Sequence, residues 1–213
     1  KVGVRVASPD YQLVQTSFRT RSDTVKVRYI LDSVYSCDYL NGSIRYDGCT
    51  LDGLPGNPPP PGDAENVLVN PGLDFSFNAD TYGPWKYESS GWTLESYTYG
   101  ERVGIGQETM HWWPCIPQVV HSGSGAMRVY AAPPVSQASF HTAIWQDAKV
   151  LPNKEYRASV WIATQDYVIN GDGSRGFGDA PSDFAGIILQ EYDFSGTLLN
   201  GTTKVGVPDA YHD

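Results

Sequence analysis

The sequence predicts an all-β fold, and three observations carry that prediction. No segment keeps a 3.6-residue apolar period, whereas several alternate apolar and polar residues strictly. The 213 residues include 22 glycines and 15 prolines, a composition suited to many tight turns. Apolar residues make up 40% and aromatic residues 13%, enough for a packed core with a modest charged surface.

The strands run in order along the chain. Val2 to Ala7 and Gln12 to Arg19 are the first two. Thr24 to Tyr35 is the third, with Val25, Val27, Tyr29 and Leu31 on one face and Lys26 and Arg28 on the other. Ser43 to Leu51 is the fourth. Four strands, each with one apolar face, cannot enclose an ordinary core, so something must cover them. Leu54 to Glu65 (LPGNPPPPGDAE) then breaks the pattern. Pro58, Pro59, Pro60 and Pro61 fix φ and remove backbone donors, so neither a helix nor a central strand passes through. Twelve residues in extended polyproline reach ~35 Å as a semi-rigid spacer. By composition, the four prolines are also candidates for hydroxylation and O-glycosylation.

Beyond the spacer, Asn66 to Phe77 opens a second unit, and Trp92 to Gly104 comes after a Gly/Pro turn. His111 to Pro117 (HWWPCIP) reads as an irregular loop, and Ala126 to Ala131 as a short strand. Phe140 to Val150 is a longer strand, closed by the turn Leu151-Pro152-Asn153-Lys154. Glu155 to Gln165 shows the clearest alternation: Tyr156, Ala158, Val160 and Ile162 face one way, Arg157, Ser159 and Trp161 the other. A glycine-rich loop, Asn170 to Asp183, leads to the strand Phe184 to Asp193. Ser195-Gly196 turns the chain, and Thr203 to Val207 begins a last strand.

The two ends share a repeat. Lys1-Val2-Gly3-Val4 recurs as Lys204-Val205-Gly206-Val207, and each copy precedes a Pro-Asp and a Tyr. The strands that come after the first copy are the ones the second copy lacks. Residues 66–213 therefore read as a module without its last strands, and residues 1–53 as those strands, with 54–65 between them. Three arrangements satisfy this: closure within one chain, donation of 1–53 to a neighbouring chain, or a slice of a tandem array with modules about 200 residues long.

The net charge of −9 argues against nucleic acid as a partner, and no run of ~18 apolar residues crosses a membrane. The charge is uneven: residues 1–53 hold seven Lys/Arg against six Asp/Glu, so the acidity lies beyond them. Cys37 and Cys49 flank DYLNGS on consecutive strands, either as a disulfide across a hairpin or as two buried thiols. Asn41-Gly-Ser and Asn200-Gly-Thr are N-glycosylation sequons and favour the bridge, hence an extracellular or cell-surface location. Cys115 is left over.

Several motifs carry a family resemblance. Asn66-Val-Leu-Val-Asn-Pro-Gly-Leu-Asp74 resembles the opening of galactose-binding-like β-jelly-rolls, the fold of many carbohydrate-binding modules. Trp92, Gly125 to Val129, Trp145-Gln146 and Pro152 to Trp161 fall in the order of that family, and Ser43 to Leu51 resembles its closing strand. The resemblance implies a jelly-roll β-sandwich in permuted or tandem order. It also implies a structural calcium between the first and last strands, with Asp74 and Asp47 as ligands; Gly48 stands where the family has a second Asp.

Such modules stack sugars on exposed aromatics. Trp161 with Arg157 and Gln165, and with Gln190 and Tyr192 on the next strand, forms a candidate platform; Trp112, Trp113 and Trp85 are others. The alternative is that these rings are core lids or module contacts. Asn170-Gly-Asp172-Gly-Ser174 spaces oxygens as calcium loops do, but Pro181 stands where an EF-hand has its closing Glu. Catalysis finds little support. His111, His121, His141 and His212 lack metal-like spacing, and the carboxylates Glu191 and Asp193 are a pair that any acidic β-protein offers. The sequence thus reads as a non-enzymatic repeat unit of an extracellular filament or array, joined head to tail to copies of itself. The alternative is a glycan-binding module of a larger secreted enzyme or adhesin.

Overall fold

Ten strands account for the regular structure in a computed structural model that describes residues 2–4, 8–37, 43–54, 66–69, 71–73, 91–96, 103–108, 121–123, 126–131, 138–165 and 184–199. They are β1 (Val2–Val4), β2 (Ser8–Arg19), β3 (Lys26–Cys37), β4 (Ser43–Gly53), β5 (Thr93–Ser96), β6 (Val103–Glu108), β7 (Ala126–Ala131), β8 (Ala138–Lys149), β9 (Glu155–Gln165) and β10 (Phe184–Tyr192). Among the described residues there is no helix. The first sheet has the order β1-β10-β3-β8-β5 and the second β2-β9-β4-β7-β6, with every neighbouring pair antiparallel. The two sheets pack face to face as a β-sandwich-like body.

Alternation decides which residues fill the space between the sheets. Val27, Tyr29 and Leu31 of β3 are buried, as are Tyr156, Ala158, Val160 and Ile162 of β9, while Val25 at the edge of the pattern is exposed. Ala185, Ile187 and Leu189 of β10 and Ile44, Tyr46 and Leu51 of β4 join the same core. Two tyrosines from the N-terminal part tie the sheets together across it. The Tyr29 hydroxyl donates to Ser159 O at 2.7 Å, and the Tyr46 hydroxyl lies 2.8 Å from Asp32 O and 2.7 Å from Ser33 Oγ.

Residues 1–53 supply the middle of both sheets. β3 lies between β10 and β8, and β4 lies between β9 and β7. The six side chains Val27, Tyr29, Leu31, Ile44, Tyr46 and Leu51 are all at most 1% exposed. At about 1.5–3 kcal/mol each, their burial matches the ~5–15 kcal/mol net stability of a whole domain.

One bulge sets the register of β4. Pairing with β9 shifts between Asp47 and Thr50, so Gly48 and Cys49 together oppose one residue. Gly48 has φ +56°, and a Cβ there would meet the Trp161 ring at 3.2 Å. The backbone therefore needs glycine where the resemblance expects a second Asp. Beyond the bulge, Cys49 and Leu51 point inward.

β3 and β4 belong to different sheets, so the hairpin expected to bring Cys37 and Cys49 together does not exist. Cys49 is a free thiol in the core, and burial pushes its pKa well above the ordinary value. The segment Trp92 to Gly104 holds β5 in one sheet and the start of β6 in the other.

The Asn66 segment is not a strand but a strap across the sheet ends. Asn66 Oδ1 accepts from Leu51 N (3.0 Å) and Leu68 N (3.1 Å), and its Nδ2 donates to Cys49 O (3.0 Å). Val69 is held in turn by Gln146, whose Oε1 accepts from Val69 N and whose Nε2 donates to Val69 O. Asn66 also forms an antiparallel bridge with Asp52, so the spacer leaves and re-enters the fold at neighbouring points. We expect Asn66→Ala to lower stability by about 1–3 kcal/mol, read as a lower midpoint in urea with unchanged m. An unchanged midpoint would show that the strap contributes nothing.

Candidate functional site

The outer faces of the two sheets carry the aromatic and charged side chains available for recognition. Outward positions on β9 are Glu155, Arg157, Ser159 and Trp161, the polar half of the alternation. His121 stacks on Trp161 with ring centroids 4.1 Å apart and an interplanar angle of 18°. Tyr11 of β2 meets His121 edge-on at 5.4 Å. The segment 121–123 is held there by Asp47: Oδ2 accepts from His121 N and Ser122 N, both at 2.8 Å, and Oδ1 accepts from Ser122 Oγ at 3.3 Å. Burial pushes the Asp47 carboxyl pKa above its ordinary value, while the Ser122 and His121 N–H bonds pull the other way.

The opposite face is built by β8, β3 and β10. Arg28 faces Asp147 across β3 and β8 and Gln190 across β3 and β10. Its guanidinium lies 3.5 Å from the centre of the Trp145 ring and 5.3 Å from that of Tyr192, and Lys26 Nζ sits 4.5 Å over Tyr192. Both cations bond Asp147, Lys26 at 2.8 Å and Arg28 at 2.8 and 3.2 Å. The Tyr192 hydroxyl donates to Gln190 Oε1 at 2.9 Å. Ile30, Ala143 and Ile188 form a small second apolar cluster beside Trp145. Partial burial opposes ionisation of Asp147, but its bonds to Arg28 and Lys26 outweigh that and hold the pKa below the ordinary value.

The candidate sugar platform is therefore divided. Trp161 and Arg157 share one outer face, but Gln190 and Tyr192 lie on the other, because β9 and β10 belong to different sheets. Trp161 has one ring face covered by His121, and Trp145 has one covered by Arg28. Trp112, Trp113, Trp85, Asp74, Cys115, His111, His212, Asn41, Asn200, Pro58 to Pro61 and the loop 170–183 lie outside the described residues, as do the side chains of Cys37 and Gln165. Asp47, expected as a calcium ligand, accepts the N–H groups of 121–122 through Oδ2. Among the described residues, no group of three or more His, Cys, Asp or Glu could hold a metal ion.

The paired carboxylates separate as well. Glu191 points inward and accepts from Arg21 N and the Thr24 hydroxyl, closing the turn before β3. Asp193 Oδ1 accepts from the Ser195 hydroxyl, Thr197 N and Ser195 N, closing the turn after β10, and these bonds, the hydroxyl's first, hold its pKa below the ordinary value. Asp32 and His141, at 2.5 Å, form a further pair on β3 and β8 that the sequence does not single out. Its one sequence signal is an Asp inside an apolar strand. No family model, curated protein or solved structure matches this chain.

A depressed Asp147 pKa stabilises the fold above the ordinary value of 3.8 and loses that contribution as pH falls through the lower folded value. The site is partly exposed, so we expect a loss of about 0.2–1 kcal/mol below pH ~3, reduced further by salt. Asp147→Asn should remove this part of the acid sensitivity in unfolding curves. An identical pH profile in the variant would show that the cations do not stabilise the folded state through Asp147.

Proposed function

We propose that this chain is a structural repeat unit of an extracellular filament or surface array. In this reading, jelly rolls of the galactose-binding-like kind are completed by strands from across the Pro-rich spacer. One observation carries the proposal: the N-terminal strands β3 and β4 sit in the middle of both sheets, so the unit cannot be closed without them. Here they complete their own chain, and the same strands from a neighbour would complete it equally well.

Spacer length supports this. Asp52 and Asn66 are bridged, so closure within one chain has only to span neighbouring positions, for which two to five residues suffice. Residues 54–65 provide far more, with four prolines to keep them extended, and that surplus suits a link to a neighbouring unit. The outer faces support it too, since their rings are engaged by His121, Arg28 and Lys26 from within the chain. A structural calcium holding the donated strands remains part of the proposal only through Asp74, and N-linked sugar only through Asn41 and Asn200.

The second reading, a glycan-binding module of a larger secreted protein, rests on Trp161 and Arg157 sharing one outer face. His121→Ala would uncover the Trp161 ring. If that face binds sugar, the variant should change affinity by several-fold in tryptophan-emission titrations against a panel of oligosaccharides.

Particle mass in dilute solution tests the main reading. We expect particles larger than one chain, shortened by excess peptide spanning residues 1–53. Single chains that ignore the peptide at every concentration would sink the array reading and leave glycan binding as the question to pursue.

A further inference from the structure

β10 has two edges. β3 covers one along its whole length, from Val34 opposite Phe184 to Lys26 opposite Tyr192. The other edge is met twice. β1 pairs there through Val2↔Ile187, Gly3↔Gly186 and Val4↔Ala185. After the Asp193 turn the chain returns antiparallel, with a bridge Tyr192↔Leu198 and a bond from Leu199 N to Glu191 O at 2.8 Å. Because β3 already holds the first edge, this return runs along the edge that β1 occupies.

A strand that kept the Tyr192↔Leu198 register would set position 205 opposite Ala185, inside the stretch covered by β1. Val205 begins the second copy of the Val-Gly-Val that makes up β1. The two registers would differ by two residues, one pleat period, so the repeat keeps the same alternation against β10 in either. One edge is therefore offered two strands of identical sequence.

We propose that the β1 place on β10 is a recognition slot for the Lys-Val-Gly-Val strand, and that its second occupant is Lys204–Val207. In a run of copies, the Lys-Val-Gly-Val that ends one unit is also the opening strand of the next, so the slot is where consecutive units join. This deepens the array reading and takes its biological meaning from it. The physical claim concerns a single chain and can be tested without any array.

Amide hydrogen exchange at Ala185 and Ile187, whose N–H groups face the β1 edge while that of Gly186 faces β3, reads the slot directly. With Val2→Pro and Val4→Pro together, β1 can no longer donate, and we expect protection of these amides to survive because the second copy takes over. With Val205→Pro and Val207→Pro together, β1 stays and protection again survives. With all four prolines, protection should fall by more than tenfold while the thermal transition of the core persists. A fluorescent peptide spanning Thr202–Asp213 should then bind the four-proline chain, seen as a rise in anisotropy, and restore protection; a scrambled peptide should not. Loss of protection on breaking β1 alone would overturn the inference, because the second copy would then not enter. Full protection with all four prolines would overturn it too, because the slot would need neither strand. Particle mass stays a separate readout: an assembly unaffected by the tail prolines leaves the array intact and removes this slot as its joint.

Discussion

Everything in this fold depends on two strands that sit where strands are hardest to do without. β3 and β4 are each flanked on both sides: β10 and β8 pair with β3, β9 and the start of β7 pair with β4, and the strap at Asn66 takes up Cys49 and Leu51 where β7 stops. Removing them would leave β10, β8, β9 and β7 with unpaired edges facing a core that has lost six of its most buried side chains. Unpaired buried backbone groups and lost apolar burial are the two largest penalties a sheet can suffer. The tyrosine bonds from β3 and β4 span the core as well, so the N-terminal part also fixes how the two sheets sit on each other.

The same physics explains the outer faces. An aromatic ring on an exposed sheet is an invitation to association unless something covers it. In this chain, Arg28 and Lys26 lie over Trp145 and Tyr192, with Asp147 holding the cations in place, and His121 lies over Trp161, with Asp47 holding its backbone. In both cases a carboxylate positions the group that covers the ring. A stacking platform for sugar would need these covers to move, whereas a structural unit gains from keeping them.

The legible part of the sequence is local. The period-two pattern of Glu155 to Gln165 and Thr24 to Tyr35 needs only neighbours along the chain, and both strands bury the expected faces except at Val25, which lies before β3 begins. Which sheet each strand joins is a long-range choice with no local signature. That is why Cys37 and Cys49 look like hairpin partners in the sequence, and why Trp161 and Tyr192 look like one platform. The covering contacts are hidden for the same reason: Arg28 and Trp145 meet only because β3 and β8 pair. Asp47 is legible as an important carboxylate, but its partners, the N–H groups of His121 and Ser122, lie on a distant segment. Gly48 is readable as a bulge from Asp-Gly inside a strand, which is a reason for glycine independent of any calcium.

The spacer bears on the central strands directly. Four prolines in a row limit how the segment 54–65 can turn back, yet the described residues on either side are neighbours. A hairpin joining Asp52 to Asn66 would need only a short, glycine-containing turn. Loop closure grows costly only slowly with length, so the extra residues do little harm to a closed chain, but they do nothing for it either. In the proposed array, the extra residues would let the strands before the spacer and the strap after it sit in different units. Asn66 then matters on both sides of that choice. Its side chain binds β4 at Leu51 and Cys49, so it would grip a donated β4 with the same hydrogen bonds it uses on its own. In the array proposed above, a β4 from a neighbouring chain would meet the same partners at Asn66, β9 and β7 as it meets within one chain.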